Sequence, residues 1–137
     1  MSFILSDQNR KHIAFSLPLI RSRKEPLVEA MEIRLQAARE RDEDPGQSAI
    51  TAMVLVDLLL RQAGHLVETG RLGDLSDTRV LHQAVDIAGR HYSRFGDALV
   101  AILTDVLGPT LPREVSAAWC DLFWAVIREV TADTIDA

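Results

Sequence analysis

The chain is expected to be all-α, and three observations predict it. Hydrophobic residues make up 47% of its 137 residues but aromatics only 5%, so the core must be Leu, Val, Ile and Ala, which suit packed helices better than a sandwich or barrel. Apolar residues recur at three- and four-residue spacing. No stretch alternates polar and apolar residues between hairpin turns. The length suits one domain over residues 1–137, and no internal repeat is evident.

Taken in order, Ser6 or Asp7 is placed to cap a first helix carrying Ile13, Phe15, Leu17, Leu19 and Ile20, with Pro18 marking a kink or early end. Pro26, a favoured first-turn residue, opens a second helix with Leu27, Ala30, Met31 and Leu35. The run from Arg39 to Gly46 is charged and ends in Pro45-Gly46, as a solvated helix end and turn would. Next, "SAITAMVLVDLLL" from Ser48 to Leu60 is apolar almost all round, which predicts a buried central helix over 48–66 with neighbours on more than one side. That stretch is too short to cross a membrane. Gly70, Gly73 and Asp74 mark a connection, and Ser76 or Asp77 is expected to cap a short helix running through His82. A segment from about His91 to Leu107 follows, then a break at Gly108-Pro109 and a final helix from near Pro112. Six or seven helices are expected.

Twenty acidic against 15 basic residues leave a net charge of −5, so there is no general attraction to phosphate backbones and no nucleic-acid partner is expected. The single Cys120 excludes an internal disulfide and any multi-cysteine zinc site. Phe3-Ile4-Leu5 is too short for a signal segment, and no uncharged run approaches membrane-spanning length. A soluble cytoplasmic protein without a membrane partner is expected. Gly-rich phosphate loops, His-Glu-x-x-His pairs, calcium loops and Gly-x-Ser-x-Gly elbows are all missing, so no enzyme is expected. Cys120, among Trp119, Leu122 and Phe123, reads as a packed thiol. His12 and His65 have no patterned partner.

That leaves "LHQAVDIAGRHYSRFGDAL", residues 81–99, which holds His82 and His91. Nine residues along one continuous helix are about 900°, which would put the two rings on opposite faces, so at most one serves any given pocket. A helix-boundary histidine satisfied by a backbone carbonyl remains the alternative for each.

The last fifty residues carry a resemblance. "HYSRFGDALVAILTDVLGPTLPREVSAAWCDLF" resembles the closing two helices of bacterial globins, the single-domain haemoglobins and the globin module of flavohaemoglobins. The matching elements are His91-Tyr92, Gly96 with Leu99, Leu107-Gly108, and Ala118-Trp119 with Phe123. "LSDQNRKHIAFSLPLI" is similar to the family's first helix, including Leu17-Pro18-Leu19. The resemblance covers nearly the whole chain, with the middle shifted. It implies a globin-like fold and haem b, held by a histidine nine residues before the His-Tyr pair with an interhelical turn between. That position is His82. "DIAGRH" also looks like the family's approach to its ligand, which keeps His91 as the rival.

The resemblance further assigns Tyr92 to contact the ligating histidine. The family's partner glutamate falls at about Thr134, with Glu129 out of register, so the resemblance does not supply the carboxylate that would give strong electron push toward bound oxygen. On the distal side it places Gln47 as a donor to bound gas, with Thr51, Met53, Val54 and Leu55 lining the cavity. Glu32, beside Met31, stands where the family has a tyrosine. The phenylalanine that wedges the haem has no counterpart in residues 36–46. Two readings follow: a haem protein binding oxygen, nitric oxide or carbon monoxide as carrier, scavenger or sensor, or a haem-free globin-like regulatory or interaction domain. Many such domains dimerise through the last two helices, and Trp119, Phe123, Trp124 and Ile127 are the candidates for that seam.

Overall fold

The computed structural model describes residues 6–136, with side chains as far as residue 131. The Phe3-Ile4-Leu5 segment and the Thr134 side chain lie outside the described residues. Within them the chain is six α-helices: α1 Asp7–Ser22, α2 Lys24–Ala38, α3 Gly46–Thr69, α4 Ser76–Ala84, α5 Gly89–Leu107 and α6 Arg113–Asp136. No strand occurs among the described residues, as the scarcity of aromatic and alternating segments predicts.

Ser6 caps α1, its hydroxyl accepting from the Asn9 N–H at 3.1 Å, which satisfies one of the helix's unpaired amides. Pro18 lies inside α1 without ending it, and its ring faces solvent. α2 begins two residues before Pro26, at Lys24, and only Arg23 separates it from α1. Proline in a first turn has no amide to lose, so the earlier start costs nothing.

α3 runs 24 residues, beyond both ends of the expected 48–66 span. At that length it is apolar enough to cross a membrane by length and composition alone, which corrects the estimate made from its apolar stretch. In this fold twelve of its residues are buried in the protein core, Ala52, Leu55 and Ala63 completely. Gly70 ends it in the left-handed region at φ 78°, its N–H bonding the Leu66 carbonyl.

Neither Ser76 nor Asp77 caps α4. Asp74 instead accepts from the Ser76 N–H at 3.0 Å and hydroxyl at 2.7 Å, an Asx turn that leads Ser76 into the helix as its first residue.

α3 packs against α1 and α2, α5 against α2 and α6, and α1 against α6, while α4 packs against α6. The Trp119 indole, fully buried, donates to Ser16 Oγ at 2.8 Å and joins α6 to α1 through the core. Phe95 and Phe123 stack at 4.8 Å between α5 and α6. Trp119, Phe123 and Ile127 are thus core residues, and of the four aromatic and aliphatic candidates for a seam only Trp124 reaches solvent, at 38% exposure. A helix with core on two faces needs that much apolar surface.

Candidate functional site

His82 and His91 fall on different helices. Between them the chain turns at residues 85–88, where Asp86 takes φ 60°, a conformation Asp tolerates better than most residues. Both rings are buried, but their nitrogens differ in state.

His91 sits in the first turn of α5, and its Nδ1 accepts the Ala88 N–H at 2.8 Å. That bond caps the helix and fixes the tautomer: the neutral ring must carry its hydrogen on Nε2. It is therefore a donor, not a free lone pair. This is the helix-boundary alternative, with the amide rather than a carbonyl as partner.

His82 lies on α4 with its Nδ1 2.6 Å from the Tyr92 hydroxyl on α5. Its Nε2 is buried and has no hydrogen-bond partner among the described residues. Burial first, and the Arg61 guanidinium second, hold this imidazole's pKa below its ordinary value, so the neutral ring is favoured. Burial also pushes the Tyr92 hydroxyl up to about 12, which keeps it protonated. A neutral imidazole and a phenol carry two polar hydrogens between them, and their single contact uses one. One hydrogen, on Nε2 or on the phenol, is left without an acceptor. A ligand that replaced the Nε2 hydrogen would allow Nδ1–H to donate to Tyr92 and leave Nε2 fully used.

The resemblance's distal residues are only partly brought together. Gln47 is half-buried, and its amide donates to the Val85 carbonyl at 3.1 Å and to Thr51 Oγ1 at 3.3 Å. Thr51 is buried with 1% exposure, and Leu55 is fully buried. Val54 packs against the core from its edge. Met53 stands apart from them, 56% exposed on the outer side of α3. Met31 is fully buried, whereas Glu32 is exposed.

The charged run is not wholly solvated. Glu43 pairs bidentately with Arg94 of α5, at 2.7 and 2.8 Å, and its carbonyl accepts from Arg39 at 2.9 Å. Its side chain is 13% exposed. Arg94, by hydrogen bonding first, holds the Glu43 carboxyl below the usual carboxylate range. The pair pins the α2–α3 connection onto α5, in the stretch where the resemblance has a phenylalanine. Sequence reasoning missed it, because Glu43 and Arg94 are 51 residues apart.

The cavities bounded by described residues include the following three. One of about 20 Å³, in the apolar heart, is lined by Met31, Leu59, Ile102 and Trp119 among others. One of about 10 Å³ lies between Leu35, Gln47, Thr51 and Arg94. A wider cleft of about 370 Å³ is lined by Glu40, Asp42, Glu43, Asp44, Gln47, Asp86, Arg90 and His91, and its acidic walls do not include His82. No group of three or more histidine, cysteine or carboxylate side chains is placed to hold a metal ion among the described residues. Cys120 is half-buried, and burial pushes its thiol up, away from a reactive thiolate. His65 is exposed and contacts the Arg71 carbonyl at 2.9 Å.

Neither a protein-family model nor a curated protein matches the chain.

The donor chemistry at His82 suits an axial haem ligand, although none of these three cavities includes His82 in its lining. It offers one neutral imidazole nitrogen, buried and unpartnered, on a ring oriented through its other nitrogen.

Proposed function

We propose that this chain is a globin-like haem protein that binds a diatomic gas as carrier, scavenger or sensor, with His82 as the iron ligand. The observation that carries the reading is the buried, unpartnered Nε2 of a histidine whose Nδ1 is held by Tyr92 at 2.6 Å. The resemblance to bacterial globins expects an interhelical turn between His82 and the His-Tyr pair, and the turn at 85–88 supports it. The His91 tautomer supports it from the other side, since ligation through that Nε2 would require its hydrogen to leave and the ring to be rebuilt around the Ala88 bond.

Haem, when bound, supplies an iron centre that takes oxygen, nitric oxide or carbon monoxide. The protein's residues orient, tune and dry that site. Tyr92 fixes the imidazole's rotation and tautomer by accepting from Nδ1–H. Because burial keeps Tyr92 neutral, it raises the donor strength of the ring less than a carboxylate would. That favours reversible gas binding over chemistry that needs strong electron push. Thr51, Val54 and Leu55 present α3's buried side, and Gln47 must leave the Val85 carbonyl before its amide can donate to a bound gas.

A second reading, a haem-free globin-like regulatory or interaction domain, is favoured by one observation. The Glu43–Arg94 pair occupies the α2–α3 connection where the resemblance has an apolar wedge.

Haemin titration of the purified chain separates the two. A saturable Soret band that His82→Ala abolishes, that added imidazole partly restores in that variant, and that His91→Ala retains is the expected result. A protein that takes up no haemin moves the function to the second reading. Loss of coordination on His91→Ala, with His82→Ala neutral, overturns the ligand assignment.

A further inference from the structure

α4 is held in an uncommon way. Its buried residues are Thr78 and His82, both polar, so it has little apolar surface to anchor it. α3 and α4 are not among the extensively packed helix pairs of the described residues. Yet the chain on each side of α4 is tied to α3 by a glutamine. Gln62, 5% exposed, accepts the Gly73 N–H through Oε1 at 2.7 Å before α4 begins. Gln47 donates through Nε2 to the Val85 carbonyl at 3.1 Å, where α4 ends. Carbonyls at a helix C-terminus have no partner within the helix, so this amide supplies one. Fifteen residues of α3 are about four turns and about 22 Å, so the two amides lie on nearly one side and bracket the nine residues of α4. α4 is otherwise tied to α6 through Arg79, which donates to the Glu129 and Val130 carbonyls at 2.8 and 3.2 Å, and to α5 through the His82–Tyr92 contact.

We infer that Gln47 and Gln62 are positioning residues, a two-ended clasp that sets how α4, and with it the free nitrogen of His82, stands against α3. The inference rests on the reading of His82 as a ligand site and adds its regulation. With the clasp closed, His82 is 2% exposed and its Nε2 is shut away from solvent. Released at either end, α4 stays attached to α5 and α6 but is free to move from α3, which admits a planar ligand edge-on. The two ends have opposite polarity. Gln47 acts as a donor to a carbonyl and Gln62 as an acceptor from an amide, so replacing each by glutamate separates the clasp from mere shape.

Hydrogen–deuterium exchange, read peptide by peptide on the chain without haemin, tests this directly. Loss of one hydrogen bond of ordinary net strength should speed exchange in α4 about three- to tenfold in Gln47→Ala, Gln47→Glu and Gln62→Ala. In Gln62→Glu the acceptor survives, so α4 should exchange more slowly than in Gln62→Ala, while the cost of burying a carboxylate at a 5% exposed position keeps its exchange above that of the parent chain. Peptides from α1 and α6 should stay within about twofold throughout, since neither helix is bound by the clasp. Exchange that rises equally in every helix, an unmoved α4, or a Gln47→Glu protein that behaves like the parent would each overturn the clasp. Should Gln62→Ala fail to fold, the two Gln47 variants at the half-buried end carry the test. Haemin association is then followed by stopped flow, with faster uptake expected in Gln47→Glu. A parent chain that takes up no haemin refutes the ligand reading alone, because the exchange result is obtained without it.

Discussion

Replacing His82 and Tyr92 singly and together measures how the candidate site is held. Tyr92→Phe keeps the ring and removes the hydroxyl, so the buried imidazole loses the 2.6 Å partner of its Nδ1. His82→Leu replaces the imidazole by an apolar group of similar size and leaves the Tyr92 hydroxyl buried without an acceptor. Each single change should destabilise by about 1–3 kcal/mol, the usual cost of stranding a buried polar group. The double variant removes both polar groups, and it should return to within about 1 kcal/mol of the parent, because apolar pairs of matched shape replace buried hydrogen-bonded pairs at little net cost. A coupling of about 2–6 kcal/mol follows, the sum of the two single losses less the small change in the double variant. With an unfolding entropy of about 2.1 cal/mol/K per residue over 137 residues, 1 kcal/mol is about 3.5 °C in Tm. The assay is urea and thermal unfolding followed by far-UV circular dichroism, without haemin. If the two single effects add within about 0.5 kcal/mol, the rings are not coupled and the reasoning about their shared hydrogen fails.

Acidification should destabilise the chain through both buried histidines. Burial holds His82 and His91 below their ordinary value of 6.5, aided by Arg61 and Arg90 respectively, so the unfolded chain binds more protons as pH falls through that value. Their contribution to stability is complete above about pH 6.5 and declines below it; the urea midpoint should fall on acidification, less steeply in His91→Gln, and a midpoint that held constant or rose would contradict the assignment. At the α5–α6 crossing, a Cβ on Gly96 would overlap the Trp124 indole. Gly96→Ala should therefore cost about 1–3 kcal/mol by overpacking and shift tryptophan emission to the red as the ring swings outward; unchanged emission and stability would show that the crossing has slack.

Much of the architecture was legible in local chemistry. The Ser6 cap, the Gly70 and Gly108 helix ends, the apolar α3 and the break before α6 are written in neighbouring residues, whose effects act within a turn or two. The prominence of His82 and Tyr92 also came from sequence, through the resemblance and the ten-residue spacing between them. Their hydrogen-bonded state did not. Whether an imidazole nitrogen is buried, capped or left unpartnered depends on which atoms packing brings within 3 Å, and that is a property of three helices at once. His91 shows the difference: a candidate ligand in sequence, it becomes a helix cap once Ala88 turns its amide toward the ring. Glu43 shows it again, since a charged run in sequence gives no sign that Arg94 will meet one of its carboxylates across the fold. Sequence determined the helices and nominated the histidine. Tertiary structure decided which nitrogen stays free, because long-range contacts settle only when the whole core closes.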